Sequence, residues 1–315
     1  MMRLTSLHIN NSGHSIQRGD LVSPPDGRLV YDILCNHIIF NYTEIAPYFP
    51  ADTVYVGIVR EPFSQFISSF IYERSYHQFV KDIVETNPEN PIEEYLCRGD
   101  DYKNSDIKPN KVMFNNRMSV DFGFPLQHFE SAKSNGSAID AFINDIDGRF
   151  NLVLVTELFD ESVVLLRRLL GWKTEDIIYL KSNVFTPKSD SPTWMSRTDY
   201  PEHVTRAFAS YASLDIALYK HFYQKLKVSI DAQPPEFHDE VSDFRLLQRR
   251  VSEMCNSNLT ASLPHVFPLY EFSLSEEQCR YMQMNEVDIF TKAQMYMRLK
   301  CRASVRRMKR GNGRC

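Results

Sequence analysis

Apolar residues along this chain switch repeatedly between short continuous runs and helical spacing. Val54 to Val59 is a β-branched and apolar run, too short for a helix and bounded by Arg60 and Pro62, so it reads as a buried strand. The pattern then changes. Pro62 suits the first turn of a helix, and Phe63, Phe66, Ile67 and Phe70 follow at helical spacing on one apolar face. That helix is expected to continue through Ile71 to Phe79 and Ile83, where Asn87-Pro88-Glu89-Asn90-Pro91 breaks it. Arg60 therefore lies at the carboxyl end of a strand, and Ser68 lies in the helix that follows.

Other segments repeat this alternation. Leu29 to Cys35 reads as a strand ending in Asn36-His37, the parallel neighbour expected for Val54–Val59. Phe150 to Val155 is the clearest strand, and Asp160-Glu161-Ser162 places acids at the start of a helix over Val163 to Leu170. Helices are expected over Ile92 to Cys97 and over Ala138 to Phe150, where Ile139, Phe142, Ile143 and Ile146 keep helical spacing. Trp172 to Tyr179 reads as a short extended run. Residues 202 to 227 form a long amphipathic helix, and 237 to 255 another. Arg98 to Lys111 is a polar surface loop, of a length often used for lids or acceptor binding. Residues 1 to 9 suggest a short helical piece, followed by a polar loop to Gly27.

Composition narrows the class. With 315 residues, 43% of them hydrophobic, the chain can bury a sizeable core, and disorder is not expected over most of it. The net charge of −4 hides an asymmetry, because Arg298 to Arg314 carries eight bases and no acid, which leaves a body at −12. An acidic body argues against a nucleic-acid surface, and the basic end reads as a solvated, disordered tail over 298–315. Six cysteines show no zinc-like spacing, so no metal is expected. Sequons at Asn10, Asn41, Asn135 and Asn258 tilt toward the secretory route. Against that, no apolar run of membrane-spanning length and no signal peptide occurs in the sequence as written.

Chemistry concentrates at the strand ends. In open parallel sheets that edge binds ligands, and a guanidinium there grips a phosphate through paired hydrogen bonds. Arg60 at a strand end with Ser68 on the next helix resembles the 3′-phosphate site of sulfotransferases that use 3′-phosphoadenosine 5′-phosphosulfate (PAPS); a plain strand exit with a surface ion pair is the simpler reading of those two residues alone. His37, just past a strand end, suits a general base near neutral pH, or else a strand cap. Glu157 suits a helix cap better than a second base. Lys181 suits a solvated lysine better than a phosphate ligand. Tyr72 and Tyr76 suit core packing better than a sugar or adenine pocket.

Taken in order, the segments from residue 30 to about 297 resemble the galactose-3-O-sulfotransferases. The resemblance is carried by Asp32-Ile-Leu-Cys-Asn-His37, by Val59-Arg-Glu-Pro-Phe-Ser-Gln-Phe-Ile-Ser-Ser-Phe70, by Asn116 to Gly123, and by Phe150 to Asn183 with Phe159-Asp-Glu-Ser162 and Trp172. Ser213-Leu-Asp-Ile-Ala-Leu-Tyr219 and the surroundings of Cys255 and Cys279 add to it. It implies one α/β domain of the P-loop-like sulfotransferase fold over 1–297, a parallel sheet flanked by helices. It further implies Arg60 and Ser68 on the 3′-phosphate of PAPS, and His37 as the base toward a galactose 3-hydroxyl. The implied acceptor is a glycolipid of the galactosylceramide kind or a glycoprotein glycan, and the implied location the lumenal side of the Golgi membrane. In an oxidising lumen, the expected disulfide joins Cys255 to Cys279.

The family also carries a Lys-Thr-x-Lys-Thr-type loop after its first strand, which cradles the 5′-phosphosulfate, and an amino-terminal membrane anchor. Met1 to Ile9 would align just after that loop. The first strand, the loop and the anchor are thus absent from the sequence as written, and Met1 is expected to be an internal methionine of a longer protein. Membrane association would come only through that anchor. A catalytically inactive galactoside- or nucleotide-binding homologue is the alternative reading.

Overall fold

The computed structural model describes residues 31, 33–34, 38–97, 114–133, 135–181, 186, 191–257, 265–267, 272–285, 287–289, 291–292 and 295. Its residues group into two compact units, one of 54–170 with 183–241, the other of 1–53, 171–182 and 242–315.

The first unit is built on two parallel strands, β1 (Val56–Val59) and β2 (Leu152–Val155), in register from Val56 opposite Leu152 to Val59 opposite Val155. Asn151 extends the pairing below the ladder, its side-chain Oδ1 accepting from Tyr55 N at 2.9 Å. Strand β1 pairs with the strand near residue 152, and most of Leu29–Cys35, the other expected neighbour, lies outside the described residues. Nor is β1 fully buried. Val56 and Ile58 are 39% and 51% exposed, because alternate side chains point to opposite faces and one face of β1 is left open.

Helix α1 (Pro62–Glu73) follows β1, then α2 (Gln78–Thr86), α3 (Pro91–Cys97), α4 (Arg117–Asp121) and α5 (Gly136–Arg149). After β2 come α6 (Phe159–Leu170), α7 (Glu202–Tyr211) and α8 (Ser213–Asp231). Phe66, Phe70, Tyr95, Phe114, Trp194 and Phe208 form the centre of an aromatic core beneath α1, with Val80 and Ile83 of α2 packed into it. The single helix expected from Pro62 to Ile83 is therefore two. At about 100° per residue, an unbroken helix would turn Val80 roughly 80° away from Phe70, so both reach one core only if the chain bends between them. The bend falls at Arg74–His77, and His77 is extended. It also carries Tyr72 and Tyr76 outward, 61% and 66% exposed with ring centroids 5.1 Å apart, rather than into the core.

The expected helix over 202–227 is likewise two, α7 and α8, parted at Ala212. Helix α8 lies against β2 and buries Leu214, Leu218 and Phe222, and the Phe222 ring stacks on Phe122 at 6.2 Å. Helix α6 starts earlier than its acids suggest, and buried Ser162 ties it to the strand before it, accepting from Val155 N at 3.2 Å and donating to Leu158 O at 2.7 Å.

In the second unit Trp172–Tyr179 is not extended throughout. It contains a tight turn over Thr174–Ile177, where Asp176 accepts from Lys173 N at 2.9 Å. Helix α9 (Pro235–Asn256) contributes its residues from 242 onward, and Leu247, Val251 and Cys255 pack with Leu274, Ile178 and Leu180. A short antiparallel pair, β3 (His265–Phe267) and β4 (Phe272–Leu274), leads into α10 (Glu276–Gln283), which Ser275 and Gln278 cap reciprocally. Cys255 and Cys279 are disulfide-bonded, Cα atoms 5.2 Å apart, as expected for an oxidising compartment. Among the described residues, no helix is long and apolar enough to cross a membrane.

Candidate functional site

Arg60 stands directly after the last residue of β1, half-buried, and Ser68 sits on the exposed side of α1 one turn beyond Ser64. The junction between them is set by Glu61. Its carboxylate caps α1, accepting from Phe63 N at 3.0 Å and from Ser64 N at 2.7 Å, while Pro62 has no N–H to offer. The amino terminus of α1 is thus already occupied by an internal anion. A phosphate arriving at this edge would be met by a guanidinium and a hydroxyl rather than by helix amides.

Three consecutive residues of this junction have their main chain fixed by side chains from elsewhere in the same unit. Thr156 Oγ1 donates to Val59 O at 3.1 Å. Arg60 N donates to Met118 Sδ at 3.4 Å, and Glu61 N to Glu157 Oε1 at 2.9 Å. The other oxygen of Glu157 accepts from Tyr219 OH at 3.3 Å. Burial, and after it the Glu157 carboxylate, raises the Tyr219 phenol well above its ordinary value, so it remains a donor. Glu157 therefore neither caps α6 nor stands ready as a base. It joins the ends of the two strands to α8.

A second constellation holds Met118. Asn116, in the left-handed region at φ 52°, sends its Oδ1 to Leu214 N and Asp215 N, both at 3.0 Å, and so caps α8. Asp215 returns the favour to α4, accepting from Met118 N at 3.1 Å, Ser119 N at 2.7 Å and Ser119 Oγ at 2.6 Å. Each helix start is closed by a side chain of the other. Complete burial pushes the Asp215 carboxyl up to about 6, although the Ser119 hydroxyl and the amides of Ser119 and Met118 pull it down, and the Asp121 carboxylate adds a smaller push upward.

Since the folded pKa of Asp215 exceeds the ordinary value of 3.8, the native state holds this proton more tightly. Stability from this group is thus greatest at low pH and is lost as pH rises from near 4 to near 6, by up to about 3 kcal/mol. Asp215→Ala leaves the buried amides of Met118 and Ser119 unpaired and is expected to cost about 2–4 kcal/mol. Urea unfolding across pH checks both effects. The wild type should weaken between pH 4 and 6, and the variant should be weaker but lack that slope.

His37 lies outside the described residues, as does the loop 98–111; of the residues singled out by sequence, Arg60 stands at the end of β1 and Ser68 on the exposed side of α1. Lys181 is exposed. Thr156, Met118, Asn116, Asp215 and Tyr219 were not singled out. Asn115-Asn116 was a local signal, as Asn tolerates the left-handed conformation better than most residues, and Asn116, Met118, Asp215 and Tyr219 lie in segments that carry the resemblance.

Comparison with known proteins converges on one group. The sequence model of the galactose-3-O-sulfotransferase family matches residues 19–267. Galactose-3-O-sulfotransferase 2 of Mus musculus is 31% identical over 227 residues, which is 71% of this chain and 53% of that protein, and its Sus scrofa counterpart is 33% identical over the same span. Galactosylceramide sulfotransferase of Homo sapiens is 28% identical over 231 residues, 71% of this chain and 50% of that protein. The chain spans about half the length of these curated relatives. No solved structure matches it.

Proposed function

Because the chain belongs to the galactose-3-O-sulfotransferase family, we propose that it moves sulfate from PAPS to the 3-hydroxyl of a galactose, on a galactosylceramide-like glycolipid or a glycoprotein glycan. Arg60 and Ser68 hold the 3′-phosphate of the donor, and His37 takes the proton of the acceptor hydroxyl. A bond forms between the galactose oxygen and sulfur, the bond from sulfur to the 5′-phosphate oxygen breaks, and adenosine 3′,5′-bisphosphate leaves. Sulfuryl transfer, like phosphoryl transfer, asks the protein chiefly to align the partners and to stabilise charge.

The observation that carries this reading is the strand–turn–helix at Arg60, whose helix amides are consumed by Glu61, so that the guanidinium and the hydroxyl remain for an external phosphate. The Cys255–Cys279 disulfide supports a lumenal setting, for which the Golgi is the proposed compartment. Titration calorimetry tests the donor site. Adenosine 3′,5′-bisphosphate is expected to bind about tenfold or more tighter than adenosine 5′-monophosphate, the difference being the charge-assisted grip on the 3′-phosphate. Equal affinities would remove Arg60 and Ser68 from that role.

A further inference from the structure

We infer that Glu157 is the positioning residue for Arg60, and that it sets the grip on the donor's 3′-phosphate without touching the nucleotide. The inference rests on the proposed role of Arg60. A side chain at the end of a strand inherits the freedom of the chain that leaves the ladder, and here the ladder ends at Val59, one residue too early to hold Arg60. Glu157 replaces the missing ladder bond, since its Oε1 accepts from Glu61 N at 2.9 Å, immediately beyond Arg60. Thr156 pins the carbonyl immediately before it, at 3.1 Å. The peptide units on both sides of Arg60 are thereby tied to the end of β2.

The bond also acts on the helix. Glu61 spends its carboxylate capping α1, the helix that carries Ser68, while its own N–H is held by Glu157. One carboxylate therefore fixes the start of the Ser68 helix relative to the Arg60 main chain. Glu157 is itself fixed by Tyr219 OH on helix α8, which packs against β2, at 3.3 Å. Both of its oxygens already accept hydrogen bonds, which suits a strut and not a group that meets substrate. Loss of such a strut spreads the Arg60 conformations and weakens binding without removing the contact.

The test measures adenosine 3′,5′-bisphosphate binding by calorimetry in Glu157→Ala and Glu157→Gln, each alone and in an Arg60→Lys background, with thermal unfolding to verify the fold. Glu157→Ala is expected to weaken binding about tenfold. Glu157→Gln, whose amide oxygen still accepts from Glu61 N, should stay within about threefold of wild type. In the Arg60→Lys background, Glu157→Ala should add less than about twofold, because the two residues act through one contact. Additive losses, or an unchanged affinity in folded Glu157→Ala, would overturn the inference while leaving the donor site standing. If Glu157→Ala does not fold, Thr156→Val carries the same expectation, since it removes only the hydroxyl on Val59 O; an unchanged affinity there would overturn it too. A wild-type chain that shows no preference for the 3′-phosphate would instead sink the reading of Arg60, and this inference with it.

Discussion

His37→Ala is expected to reduce sulfate transfer by roughly 10²–10⁴-fold while leaving the affinity for adenosine 3′,5′-bisphosphate within about twofold of wild type. A galactose hydroxyl is a poor nucleophile until its proton is taken, and an imidazole titrating near neutral pH is suited to take it. A base in that role would act on the acceptor and not on the nucleotide, so the two measurements should separate. Steady-state transfer with labelled PAPS, run beside calorimetry on the same preparation, decides the matter. Unchanged turnover would exclude the base role, and a parallel loss of nucleotide affinity would assign His37 to the donor site instead.

Arg60→Ala should give the opposite division. Its effect is expected in binding first, as a loss of about 100-fold for adenosine 3′,5′-bisphosphate, because the two parallel charge-assisted hydrogen bonds proposed for Arg60 would disappear together. For adenosine 5′-monophosphate, which has no 3′-phosphate, little should change. The variant is thus expected to erase the preference between the two nucleotides. A loss shared equally by both would mean that the substitution had damaged the fold of the edge, whereas no loss would place the 3′-phosphate elsewhere. Glu61 sharpens the expectation, since the amides of Phe63 and Ser64 that might otherwise compensate are already bonded to its carboxylate.

The strand–turn–helix from Val56 to Glu73 was legible in the sequence because its signals are local: a β-branched run, a proline at the first turn, and phenylalanines at helical spacing. The same holds for β2 and for α5. What escaped was set by distant partners. Ala212 breaks a continuous amphipathic pattern because Asn116, far away in sequence, caps the helix that restarts at Ser213. The bend at Arg74–His77 answers to the shape of the aromatic core, which no local spacing records. Tyr72 and Tyr76 follow the bend outward.

Glu157 shows the same division at the candidate site. Its position past a strand, before a helix, suggests a cap by local rules, yet its partners are Glu61 and Tyr219. The strand end at Arg60 and the helix that carries Ser68 were legible because both belong to one short segment. The side chains that hold the main chain of residues 59–61, Thr156, Met118 and Glu157, come from distant segments brought there by the parallel pairing of β1 with β2, the packing of α8 on β2 and the reciprocal capping of α4 and α8. Side-chain-to-main-chain bonds across such distances leave no periodicity behind.

The measurement that tests the central claim most directly is transfer of labelled sulfate from PAPS to a glycan or glycolipid ending in galactose, with the sulfate located by NMR. The account predicts transfer that saturates in both substrates and places the sulfate on the 3-hydroxyl of the galactose. Saturable binding of the nucleotide and the galactoside with no transfer, or sulfate on another hydroxyl, would contradict it, and the first of those outcomes would make this chain a binding protein built on an enzyme's fold.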